Sequence, residues 1–407
     1  MPQVGIVQRL WTERPRLVLS LLVVCALLSA AVGIWNGSHR SQDFQYSGEL
    51  VLLQHVDPWA DFLAGDPHRD FPMTQIPNYL PILYVVLVPY GLLSLAAART
   101  AWAFTNLLFA IVSGRWAAKF YGIRGGGIVA VVCLLLMATA TRNTLGNGQQ
   151  GLLVLFFWSL MLWFAERSAG RGGSVDGQAE LLGASYFKFT FGPPVLLFVL
   201  FRWGVRAALF TLVPAMTALA LVWLWLGHDP HTILTLATEP LAVAKHGFTP
   251  DWGDPNLMNV SEIFMRNQPE NLRNAIELAL ALAVSVPLSF IAFRRHREGS
   301  LQWHMALLAT MSFGLFKHHS YDAVVLLFPL CYGLSKWRER AGRWVVGLLS
   351  YLFYGERVLD AAHLHPWWLC VPDFLMLMGV LILTYRLGTR YASEPSQRAL
   401  DGLTARA

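Results

Sequence analysis

The feature that most constrains this chain is the recurrence of apolar runs close to membrane-spanning length. Leu17 to Trp35 gives about 19 residues without a charge, and a straight helix needs roughly 20 to cross a hydrocarbon core. Further runs follow at about 99–118, 127–143, 150–165, 180–201, 205–226, 273–293, 301–316, 321–335, 343–356 and 367–386. Several are short for a straight span, so short or broken helices are expected among them. The run 180–201 carries Pro193 and Pro194 after Lys188 and reads as two short helices turning near that lysine. The segment 79–95, with Pro77, Pro81 and Pro89, reads as a kinked juxtamembrane helix. The expected fold is an all-α polytopic membrane protein of about 12 crossings, with juxtamembrane helices in its first outer loop.

Composition agrees. Only 14% of residues are charged and 55% are hydrophobic, with a mean hydropathy of +0.45; soluble domains carry about 25% charged residues. A soluble enzyme, a nucleic-acid binder and a disordered scaffold are thereby excluded. The 13% aromatic share suits repeated anchoring at membrane interfaces. The net charge of +6 is a matter of loop placement rather than of nucleic acid. Arg9, Arg14 and Arg16 precede the first run, whose start resembles a signal peptide; its length and the lack of a small-residue cleavage site favour an uncleaved helix. Cys25, Cys133, Cys331 and Cys370 show no regular spacing and read as small core residues.

If the N-terminus is cytoplasmic, 79–95 does not cross and 180–201 enters and leaves as a hairpin, then 21 of the 31 Lys and Arg fall on the cytoplasmic side. That is the positive-inside asymmetry. It predicts a single transmembrane domain over 1–407 in a plasma (inner) membrane, both termini cytoplasmic, a first outer loop over 36–98, a second over 227–272 and a cytoplasmic tail over 387–407. Of the 25 acidic residues, 17 then lie at or beyond the outer face. Long loops inside a compact protein are usually functional, so the chemistry is expected there.

Asp43 follows the first run within about eight residues, close to where a lipid-borne phosphate would lie; its alternative role is to cap a helix over Phe44–His55. TRNTLGNGQQ gathers Arg142, Asn143, Asn147, Gln149 and Gln150 at the outer end of the third run. Lys188 is a lone cation among aromatics in SYFKFTFGPP, an expensive placement that implies either a cavity or partner, or a side chain that snorkels to the interface. FKHHSYD sets Lys317, His318, His319 and Asp322 between two apolar runs, a combination suited to a phosphodiester. Adjacent histidines suit one metal ion poorly, because a helix face repeats every three or four residues. His363 and His365 on the last outer loop remain unassigned. Phosphate-loop, nucleophile-elbow, HExxH and DxD signatures are all absent from the sequence.

The order of motifs resembles the GT-C membrane glycosyltransferases and, within them, family 87. The landmarks are Asp43 with Tyr46, GDP at 65–67, NYLPILYVVLVPYGLL at 78–93, GNGQQGLLVLFFWSLML at 146–162, FKFTFGPPVLLFVLFRWGVRA at 187–207 and KHHSYDAVVLLFP at 317–329. The chain departs from the usual pattern at Gln150 and at Phe189 and Thr190, where the family more often has Pro directly after its Lys. The resemblance implies inverting transfer from a polyprenyl-phosphate sugar donor on the outer face, without nucleotide, metal or other cofactor. Mannose is the implied sugar, with arabinofuranose as its alternative, and a glycolipid or polysaccharide is the acceptor. It implies Asp43 as general base, and fits Lys188, His318, His319 and Lys317 near the donor phosphate and Tyr46, Tyr79, Arg142, Gln149 and Asp322 as substrate contacts. A lipid-linked polysaccharide polymerase or ligase and a lipid transporter or flippase are the rival readings; the transporter would predict two related halves, and no internal repeat is evident.

Overall fold

The computed structural model describes residues 14–65, 75–168, 174–227, 229–247, 255–265, 267–355 and 366–392. Asp66, Asp70, Arg171, His363 and His365 lie outside these, as does the side chain of His246. The described residues are helical or irregular, with no strand. In chain order the helices are α1 Pro15–Arg40, α2 Tyr46–Leu53, α3 Pro58–Leu63, α4 Pro81–Gly91, α5 Leu95–Phe120, α6 Gly126–Met137, α7 Thr139–Asn147, α8 Gly151–Ser168, α9 Val175–Gly183, α10 Gly192–Trp203, α11 Val205–Phe210 and α12 Val213–Trp225. They continue with α13 Pro230–Gly247, α14 Leu257–Met265, α15 Glu270–Ser289, α16 Leu301–Leu315, α17 Leu327–Ser335, α18 Arg340–Tyr354 and α19 Pro366–Ala392.

The long helices are inside out relative to those of a soluble protein. In α1 the buried residues are Ala26, Ala30, Gly33 and Gly37, while Leu21, Leu28 and Trp35 are exposed. In α5 the buried face runs through Ala98, Trp102, Asn106, Ala110, Gly114 and Ala117, with Phe104 and Leu108 turned outward. Small residues inward let backbones approach, and large ones outward meet lipid tails. This is the packing of a multi-pass membrane protein.

The number of crossings is corrected. Among the described residues six helices are long and apolar enough to span: Pro15–Arg40, Leu95–Phe120, Gly151–Ser168, Val205–Trp225, Glu270–Arg295 and Cys370–Arg390. A seventh arises if α6 and α7, bent by 58° at Ala138, count as one. That does not support about 12. Length is one reason, since α16 has only 15 residues, and protein buries 13 of them, so its apolar side chains serve the core. α1 reaches Arg40, α13 and α14 lie within 227–272, and α19 continues to Ala392.

Two groups of helices meet. α1 packs on α5, α6 and α7, and α5 on α8; separately α16 packs on α17 and α19, and α18 on α17 and α19. A tight 3-10 turn at Ser320–Leu326 touches α7, α8 and α16 and joins the two groups.

Candidate active site

Asp43 lies in the irregular stretch between α1 and α2. Its backbone N–H donates to the Asn147 carbonyl at 3.0 Å, and Gln150 Nε2 donates to the Asp43 carbonyl at 3.2 Å. The turn that ends α7 thus grips the Asp43 backbone by both of its polar groups. That turn requires Gly148, which has φ +74° and lies against Phe44, where a Cβ would approach Phe44 Cβ to 2.8 Å. The Asp43 carboxylate is half-buried and makes no side-chain hydrogen bond among the described residues. The capping role is overturned, because α2 starts at Tyr46 with Gln45 at its N-cap and no side-chain cap. Asp57 is the capping aspartate of this region, accepting from Trp59 N at 2.9 Å and Ala60 N at 3.1 Å at the start of α3.

Lys188 breaks the helical path between α9 and α10, as its sequence setting predicts. It is extended, at φ −99° and ψ 90°, between the short 3-10 turns Ala184–Phe187 and Phe189–Phe191. Its ammonium finds the partner that burial demands in Asp322, at 2.6 Å from Oδ1, and lies 4.7 Å from the centre of the Tyr321 ring. The other Asp322 oxygen is 3.3 Å from His318 Nδ1, which is also 3.2 Å from Thr190 Oγ1. The His318 ring is clasped between Phe191 and Phe313, and its Nε2 is buried without a hydrogen-bond partner among the described residues. Burial holds this imidazole below its ordinary value, with Asp322 pulling the other way.

Two further contacts close the site. Leu80 N donates to the Phe187 carbonyl at 3.1 Å, fixing the segment before α4 against the Lys188 turn, and the Tyr79 hydroxyl donates to Gln149 Oε1 at 3.3 Å. The Tyr79 phenol is pushed well up, first by burial and then by the charges of Asp322 and Asp43. One buried hydroxyl therefore has both carboxylates as electrostatic neighbours. Gly151 makes room for Asp322, since a Cβ there would stand 3.1 Å from its Oδ1.

Asp43, Tyr79, Gln149, Lys188, His318 and Asp322 are thus brought together, His319 borders them by packing on Tyr321, and three other expected residues turn elsewhere. Lys317 donates to Glu262 Oε2 at 3.2 Å and the Tyr46 hydroxyl to the Leu93 carbonyl at 2.5 Å. Arg142 faces α1, in a groove with Arg40. Thr190 was missed as a site residue, although the departure from the family pattern falls on it. Glu262, the partner of Lys317, carried no local signal.

The model of glycosyltransferase family 87 matches residues 78–329, well over half of the chain. The match covers Tyr79, Gln149, Lys188, His318 and Asp322 and begins after Asp43. No curated protein and no solved structure matches the chain.

Proposed function

We propose, from the premise that the chain belongs to glycosyltransferase family 87, that it transfers a sugar from a polyprenyl phosphate to a hydroxyl of a glycolipid or polysaccharide at the outer face of the plasma membrane. Mannose is the sugar favoured by the motif resemblance. The observation that carries the reading is the Asp43 carboxylate: backbone-pinned, half-buried, free of capping duty, and sharing Tyr79 with the Lys188–Asp322–His318 cluster.

The chemistry asks for little more. The acceptor oxygen attacks C1 of the sugar from the face opposite the phosphate, and its proton passes to Asp43. The C1–oxygen bond to phosphate breaks, and polyprenyl phosphate departs with the electron pair, inverting the anomeric centre. Polyprenyl phosphate leaves readily, so base assistance to the acceptor is the principal need, followed by stabilisation of charge on the departing phosphate. His318 Nε2 is one unpartnered polar atom on this side, and it becomes a donor to that phosphate only when the imidazole gains a proton there, Nδ1–H being kept on Asp322. Lys188 acts beside it as a cation already paired, holding Asp322 and through it the His318 ring. Tyr79 and Gln149 are the hydroxyl and amide suited to the sugar.

The test uses purified protein and a panel of synthetic polyprenyl phosphate sugars, with release of polyprenyl phosphate as readout. Asp43→Asn keeps the shape and removes the basicity, so turnover falls about a hundredfold or more with donor binding retained. Turnover within a few-fold of the parent would show that Asp43 is not the base. No release from any donor would remove the donor class itself.

A further inference from the structure

His318 stands on a stretch of chain that its neighbouring helices do not hold. α16 ends at Leu315 and the 3-10 turn begins at Ser320, so Lys317, His318 and His319 lie in irregular backbone between them. Asp322 and Thr190 orient the imidazole, but a ring is placed only as well as the backbone that carries it. Two contacts that hold this backbone come from α14 and the residue before it, in the segment 227–272.

Asn256 immediately precedes α14. Its carbonyl receives Val260 N at 3.0 Å and its Oδ1 receives Asn259 N at 2.9 Å, so it caps the helix. With Oδ1 committed to the cap, Nδ2 is left to donate, and it reaches the His318 carbonyl at 3.3 Å. The residue is buried, so water does not compete for that bond. Glu262, in the middle of α14 and also buried, accepts from Lys317 Nζ at 3.2 Å through Oε2 and lies 3.6 Å from Arg273 Nε through Oε1. Arg273 belongs to α15 and stands 3.9 Å from Glu277 on the same helix. Two carboxylates therefore meet two cations, as their burial requires. Lys317 is held by its side chain and His318 by its carbonyl, so one helix fixes both the position and the direction of the backbone between them. α15, part of a span, backs that helix through Arg273.

We propose that Asn256 and Glu262 are positioning residues for glycosyl transfer, fixing the backbone that presents the His318 imidazole to the departing phosphate. The inference rests on the role given to His318 above, and it gives the segment 227–272 a part in the reaction. Both residues act through the chain at 317–318, not on substrate. A displacement of about 1 Å can cost about a hundredfold in rate. Loss of either clasp should thus reduce turnover by about ten- to a hundredfold, with the donor KM within a few-fold of the parent.

Two variants separate the clasp from the helix that carries it. Asn256→Ser keeps a capping oxygen, since Ser caps about as well as Asn, and loses the amide N–H. Glu262→Gln keeps the shape and removes the charge that faces Lys317. Each full-length protein in detergent is treated with diethyl pyrocarbonate, which acylates accessible neutral imidazoles, and every histidine is read by mass spectrometry. His318 and His304 are both buried in the parent, and His304, in the first turn of α16, is the control. His318 should react at least about fivefold faster in both variants through local opening, with His304 at its parent rate and turnover reduced at near-constant KM. An unchanged His318 rate in either variant strikes that residue from the role. Equal acceleration of both histidines, or turnover within a few-fold of the parent, overturns the proposal. Should Glu262→Gln fail to fold, Glu262→Gln/Lys317→Gln decides, since it leaves Arg273 beside Glu277. A parent that releases no polyprenyl phosphate fails the glycosyl-transfer reading instead, whereas the His318 rates need no donor and still report whether α14 holds the chain there.

Discussion

Replacing Lys188 by methionine tests whether the cation beside the candidate site is first of all one half of a buried ion pair. Its ammonium is 2.6 Å from Asp322 Oδ1, and the two side chains are 9% and 0% exposed. At that distance the attraction is about 6 kcal/mol with an effective dielectric constant near 20, set against the cost of taking both charges from water. Removing one partner strands the other, and such losses run at about 3–5 kcal/mol. For a chain of 407 residues this lowers the midpoint of thermal unfolding by several degrees. Lys188→Met/Asp322→Leu removes both charges and regains most of the stability, yet stays inactive, because His318 loses the carboxylate that orients it. Unfolding is followed in detergent by tryptophan fluorescence and turnover by polyprenyl phosphate release. A Lys188→Met protein that melts within a degree of the parent would refute the argument, and would make Lys188 a cation free to meet substrate.

Other consequences follow from single positions. Glu49 on α2 is buried, both its oxygens lack hydrogen-bond partners among the described residues, and burial pushes its carboxyl up to about 8. A carboxyl raised in the fold contributes stability in full below its ordinary value near 4.5 and loses it as the pH rises to about 8. Glu49→Gln should therefore melt higher than the parent at pH 8 to 9 and show little gain near pH 5; parallel melting curves across that range would exclude a buried, neutral Glu49. Gly151→Ala places a methyl group 3.1 Å from both Asp322 Oδ1 and the Tyr321 carbonyl. Crowding of this kind costs about 1–3 kcal/mol, so melting and turnover should both fall, and unchanged values in both would show that the 3-10 turn yields easily.

How far the sequence was readable depends on whether a signal was local. The break at Lys188 was legible because a cation and two prolines interrupt one apolar run, and the structure puts an extended residue there. His318 and Asp322, four residues apart, were legible as a cluster. The partnership of Lys188 with Asp322 spans 134 residues and leaves no mark near either. The count of crossings failed for a physical reason. Hydropathy reports that a segment avoids water and says nothing of whether lipid or protein receives it; α1 buries four of its 26 residues against protein while α16 buries 13 of 15. The charge asymmetry corrects this weakly, since an added pair of crossings moves only the charges on the segment between them. Asp43 was ambiguous for another reason: capping depends on where a helix starts, and α2 starts two residues too late for Asp43 to cap it.

The short helix α7 links these features. Its bend of 58° from α6 turns it against three surfaces: Thr144 meets the 3-10 turn that carries Asp322, Leu145 meets α1, and its final turn holds the backbone of Asp43. A straight continuation of α6 could not satisfy all three, because one helix face is committed at each contact. The Asp43 carboxylate is otherwise unheld, so its position relative to Tyr79 and His318 is set through Asn147 and Gln150. Substitutions that loosen only the final turn of α7, beyond Thr144, should accordingly reduce turnover while leaving the Lys188–Asp322 pair and its stability contribution in place. In a protein whose proposed substrates arrive sideways from the bilayer, placing the proposed base on a backbone gripped by a half-helix, and not on a rigid span, leaves the spanning helices free to pack against lipid.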